Sequence, residues 1–182
     1  MRRIPAICMT AQMIAIVVIF SLRTPYAQSA EAFSLASPDF RSEGTIPERF
    51  TCSGLNTSPT LEWSGTPAGA RSFVLTVDDP DAPGGSFVHW VIYNLSPTSK
   101  ELQEGISLSV HNGAVEQGTN ARGDTGYTGP CPPPGKPHHY HFRLYALDQK
   151  LLLGPGATQA QVEAAMKGHV LGSAELVGVF ER

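Results

Sequence analysis

Apolar and polar residues alternate most regularly over His138–Leu147 (HHYHFRLYAL). His138, Tyr140, Phe142, Leu144 and Ala146 fall on one side, and His139, His141, Arg143 and Tyr145 on the other. A period of two is that of a β-strand with one buried face. His138 and Tyr140 are therefore expected at the entrance of the buried face, and His139 and His141 on the wetter face. Ser72–Val77 (SFVLTV) predicts a second strand, with Phe73, Leu75 and Val77 on one face. His89–Leu95 (HWVIYNL) is apolar almost without a break, so both of its faces are expected to be covered, and Pro97 ends it. His89 should share a face with Val91 and Tyr93. Glu175–Phe180 (ELVGVF) predicts a short final strand. One helix is legible: Thr158 is placed to cap it, Gln161 completes a capping box, and Gly168 marks its end. Residues 103–136 carry few apolar side chains and many glycines, which predicts a long loop region rather than a packed element. It ends in GYTGPCPPPG, whose consecutive prolines hold an extended path.

Composition supports a mainly β chain. Glycine (18) and proline (15) are both abundant among 182 residues, which favours many turns over a helix bundle. The first thirty residues read as a signal peptide: Arg2 and Arg3 precede a short apolar run, Ala11–Leu22, and small residues follow. The run is shorter than the roughly 20 residues of a membrane span. Cleavage is expected between about 27 and 32, leaving one domain over 33–182 in the periplasm or outside the cell. Removing 1–30 takes three arginines and no acid, so 10 Lys plus Arg face 16 Asp plus Glu, a net −6. Such a balance disfavours nucleic acid and anionic membrane surfaces as partners. Cys8 leaves with the signal. Cys52 and Cys131 remain, as one disulfide in an oxidising compartment or as two thiols.

The densest chemistry lies at Asp78–Trp90 (DDPDAPGGSFVHW). Pro80 and Pro83 fix their own φ and bias Asp79 and Ala82 away from the helical region. Aspartates in such turns accept main-chain hydrogen bonds, so the stretch reads either as a rigid turn or as a pocket-forming loop. Two histidines, His89 and His138, each open a strand after a stiff proline-containing loop. If those strand ends are neighbours, Asp79, Asp81, His89, His138 and Tyr140 line one cavity, with main-chain N–H groups at Gly129 and its neighbours as donors. That cavity would suit a small anion such as phosphate. Asp and His sets also bind metals, but no HExxH, two-histidine helix or CxxC is present, and no metal or cofactor is expected. On the outer face, His139 and His141 form a candidate metal pair opposed by Arg143, so a solvated face is expected there. Gly84–Val88 does not fit a nucleophile elbow, which leaves a hydrolase as an alternative without a nucleophile. Arg122-Gly123-Asp124 spells an adhesion tripeptide and is assigned no role. The sequons at Asn56 and Asn94 are patterns only.

The motifs DPDAP, HWVIYNL and GYTGPCPPPGKPHHYHFRLYAL resemble, in this order, those of the phosphatidylethanolamine-binding protein family, in its bacterial Raf-kinase-inhibitor-like branch. The upstream FTCSGLNTSPTLEWSGTPAGARSFVLTVDDPDAP and the ending LGSAELVGVFER follow the same layout. The resemblance implies a two-sheet antiparallel β-sandwich with one or two short helices near the C-terminus, and an anion pocket at one end. By motif position Asp79, Asp81, His89, Gly129, His138 and Tyr140 stand for the pocket residues. The family's His-Arg-Tyr reads His138-His139-Tyr140 here, so the arginine and any salt bridge it makes are missing. The implied role is an exported protein that binds, without turnover, a phosphate-like anion or phospholipid head group. An inhibitory action on a kinase or protease is also implied. An interaction module acting through loops 103–136 is the further alternative.

Overall fold

The structure, a computed structural model, describes residues 31–106 and 115–182. The signal-peptide reading of 1–30, its cleavage position and Cys8 lie outside the described residues, as does 107–114 of the loop region.

Among the described residues nine strands and one α-helix follow in order: β1 Ser34–Ala36, β2 Gly44–Thr45, β3 Leu61–Ser64, β4 Ser72–Asp79, β5 Phe87–Leu95, β6 Glu101–Leu102, β7 Glu116–Gln117, β8 His138–Leu147, α1 Gln159–Met166 and β9 Val170–Phe180. They form a three-stranded sheet, β1-β3-β6, and a six-stranded sheet, β2-β9-β8-β4-β5-β7. The expected two-sheet architecture is present. The larger sheet is mixed, however, because β2 runs parallel to β9, with Gly44 opposite Gly178. A parallel pair needs no hairpin, so local turn signals give no hint of it.

The main core lies between the sheets. Leu35, Leu61, Trp63 and Leu102 of the small sheet pack over Phe73, Leu75, Trp90, Phe142 and Leu144 of the large one. The opposite face of the large sheet is covered as well. There Val74, Val91, Tyr93 and Leu147 meet Val162 and Met166 of α1. This double cover explains why β4 is buried at all eight positions and why β5 is apolar almost throughout. The helix starts as its sequence predicts, with Thr158 and Gln161 forming a complete capping box.

Three elements run further than their patterns imply. β4 extends through Asp78 and Asp79, so those carboxylates belong to the sheet and not to the following turn. β5 begins at Phe87. β9 begins at Val170, five residues before the apolar alternation, because its first half is held by the ladder to β8 from Leu147↔Val170 onward. The loop region is also more packed than its composition implies: β7 pairs with β5, and Gly118 lies where a Cβ would come within 2.3 Å of the Ala157 carbonyl oxygen.

Candidate functional site

β4 is the middle strand of the triplet β8-β4-β5, so its end carries Asp79 between the starts of the two histidine strands. On one side Asp79 Oδ2 accepts from His138 Nδ1 at 2.7 Å, with both side chains buried. Its other oxygen, Oδ1, accepts from the Asp81 main-chain N–H at 2.9 Å. The carboxylate thus closes the turn and orients an imidazole at once.

His89 arrives by a different device. Val77 pairs with Trp90 and Asp78 with Val88, so β5 carries one extra residue against β4, and that residue is His89. A bulge breaks strict alternation and re-aims a side chain. His89 therefore does not share the face of Val91 and Tyr93, which pack under the helix. Its ring turns instead to the sandwich side, 5.1 Å from the Tyr140 ring centroid and 4.8 Å from that of Phe87. His89 Nδ1 lies 2.7 Å from the Thr128 carbonyl oxygen. A carbonyl only accepts, so Nδ1 carries the proton. Burial pushes the His89 pKa down; the Thr128 carbonyl and Asp79 oppose this and Arg122 reinforces it.

Asp79, His89 and His138 line a cavity of about 280 Å³. Its walls are apolar, from Ala82, Pro83, Phe87, Pro132 and Pro133, and Cys131 and Arg122 complete it. Three of the residues assigned by sequence stand outside this lining. Asp81 turns to the wetter face, where its Oδ2 accepts from both the ring Nδ1 (2.7 Å) and the main-chain N–H (2.9 Å) of His139. That bond holds the Asp81 carboxyl below its ordinary pKa. His139 thus supplies Asp81 with hydrogen-bond donors where the family pattern has arginine. Gly129 gives its N–H to Asn56 Oδ1 at 2.7 Å, so that donor faces away from a guest. What Gly129 provides is closeness: a Cβ there would lie 2.4 Å from the Phe50 carbonyl oxygen. Tyr140 is fully buried behind His89. Its hydroxyl makes no well-formed hydrogen bond, and burial, then Asp79, push its pKa up.

Arg122 was legible as a motif but not as a site residue. It is the sole lysine or arginine between Lys100 and Lys136. The signal for its position is Asn120, whose Oδ1 accepts from the N–H groups of Arg122 (2.9 Å) and Asp124 (3.2 Å) and so folds the turn that presents it. No carboxylate pairs with Arg122 among the described residues.

The cavity wall is tied down. Cys52 and Cys131 form a disulfide, joining the turn after the short 3-10 helix Glu48–Phe50 to the proline run. The outer face holds a second charge system rather than free solvated side chains: Arg143 bonds both Asp78 and Glu175, and Glu175 also accepts from His141 at 2.9 Å. No group of three or more metal-ligating side chains comes together among the described residues.

The comparisons agree with this architecture. The sequence profile of the phosphatidylethanolamine-binding protein family matches residues 36–181. A UPF0098 protein of Methanothermobacter thermautotrophicus is 49% identical over 151 residues, 82% of this chain and 99% of that one. A Mycobacterium tuberculosis relative named as lipoprotein LppC is 43% identical over 159 residues, 87% of this chain and 77% of that one. Among solved structures, a phosphatidylethanolamine-binding protein homologue of Chlamydia trachomatis superposes with a TM-score of 0.77 at 40% identity, covering 83% of this chain and 98% of that one. Escherichia coli YbcL superposes with the same TM-score, 0.77, at 33% identity, covering 82% and 98%. The profile match and the shared sandwich place this chain in the phosphatidylethanolamine-binding protein family.

Proposed function

We propose that the protein is an exported binding protein, without catalytic turnover, whose cavity takes a phosphate-like anion or a phosphorylated head group. The observation that carries this reading is the cavity's make-up. The guanidinium of Arg122, without a carboxylate partner among the described residues, and two imidazoles whose Nδ1 atoms are already engaged belong to a hollow with apolar walls. A positive charge at the mouth of a hollow lined by polar ring nitrogens suits an oxyanion, and the apolar rim suits the carbon chain it is attached to. The protein's acidic balance makes the local cation the more necessary. Export is supported by the disulfide and by the lipoprotein name of one relative.

Calorimetric titration with phosphate and with phosphoethanolamine tests the reading, using wild type, His89→Ala and His138→Ala, each shown by melting to be folded. Binding in wild type that is lost in both variants supports the cavity. Affinity unchanged in both would remove it and leave the interaction reading of loops 103–136.

A further inference from the structure

The tautomer of His89 constrains the guest beyond its charge. With Nδ1–H committed to the Thr128 carbonyl, the neutral ring has one atom left, Nε2, and that atom is a lone pair. Nε2 has no protein partner among the described residues and is not sealed off from the cavity that His89 lines. A bare oxyanion placed against it would set lone pair against lone pair. A guest with an O–H would satisfy it.

Building on the anion-binding reading, we propose that the cavity selects an oxyanion that brings its own proton, a phosphomonoester in its monoanionic form, with Arg122 meeting the charge and His89 Nε2 accepting the P–OH. A site built around a buried acceptor rejects an analogue that lacks the matching donor, because the acceptor is then left unpaired. The surroundings favour the neutral ring over an imidazolium that would donate instead. It is 4% exposed and edged by Phe87 and Tyr140, and Arg122 repels a second positive charge. The Thr128 carbonyl, then Asp79 and Asp78, act in the opposite sense. The Asp79 carboxylate is itself engaged by His138 and the Asp81 N–H.

Methyl phosphate and methyl sulfate separate these cases, since both carry a single negative charge but only the phosphate monoanion has an O–H. Calorimetric titration of the full chain at pH 6 is expected to show methyl phosphate binding about 10- to 100-fold more tightly than methyl sulfate. Methyl sulfate does not titrate, so any pH dependence of its binding comes from the protein and not from the ligand. The ratio of the two affinities then isolates the ligand's proton. Between pH 6 and pH 8 that ratio should fall roughly 50-fold, following the monoanion fraction of a phosphomonoester with a second pKa near 6. His89→Asn keeps a donor for Thr128 but deletes Nε2, and should bring the pH 6 ratio to near unity. Arg122→Gln should weaken both ligands and leave the ratio intact. Equal binding of the two esters by wild type, or an undiminished ratio in His89→Asn, overturns the selection while leaving an anion site standing. Binding of neither ester would remove the anion site as well.

Discussion

The bridge between Cys52 and Cys131 allows a quantitative test of what holds the cavity wall. The two cysteines are 79 positions apart, so the bond closes a long loop in the unfolded chain. Loop-closure entropy for that length is worth about 4–5 kcal/mol, of which real disulfides commonly deliver about 2–4 kcal/mol. At about 2–4 °C per kcal/mol for a chain of this size, the double variant Cys52→Ala/Cys131→Ala should melt roughly 5–15 °C below the oxidised wild type. The folded state should change little, because other bonds tie the same two segments. Gly129 N–H reaches Asn56 Oδ1 at 2.7 Å, Tyr127 Oη reaches the Phe50 carbonyl at 2.8 Å, and Cys52 N–H reaches the Pro130 carbonyl at 3.0 Å. The predicted signature is therefore specific: a lower melting temperature and a larger urea m-value, since the released unfolded chain exposes more surface, with an unchanged near-ultraviolet circular dichroism spectrum. Calorimetric melting, urea titration and near-ultraviolet circular dichroism, with and without reductant on wild type, supply the three quantities. A melting temperature within about 2 °C of wild type would refute the loop-entropy argument. A collapsed near-ultraviolet spectrum would show that the bridge, and not the hydrogen bonds, holds the folded wall.

Three further outcomes follow from single contacts. Gly178→Ala would drive a Cβ to 2.5 Å from Ile46 Cγ1 and 2.8 Å from the Phe40 ring, and should cost about 1–3 kcal/mol in urea denaturation. Thr158→Ala removes the capping box of the helix that covers the second core, and should cost about 1 kcal/mol by the same assay, with Thr158→Ser largely restoring it. The carboxyls of Asp81 and Glu175 are held below their ordinary range, chiefly by hydrogen bonds from His139 and His141. A depressed folded value means that their stabilisation is present above the unfolded pKa and is lost as the pH falls through the folded one. Asp81→Asn/Glu175→Gln should accordingly flatten the acid limb of melting temperature against pH below about pH 5, and a limb of unchanged steepness would show that these pairs contribute nothing.

What could be read from the chain alone were features written into short windows. The alternation of His138–Leu147 set which residues of β8 face the core, because one-sided burial imposes period two on a strand. Thr158 and Gln161 announced the helix start, because a cap needs only side chains three residues apart. The family resemblance, carried by motifs in order, pointed to the sandwich and to Asp79, His89 and His138 as a group. The tertiary structure decided the rest through partners distant in sequence. His89 changed face because a bulge is a property of two strands in register and not of either alone. Asp81 and the Gly129 N–H left the cavity because His139 and Asn56, at separations of 58 and 73, claimed them. Arg122 entered the lining because the turn held by Asn120 folds over the start of β5, where Ala121 N–H bonds the Val88 carbonyl, a placement that no local periodicity encodes.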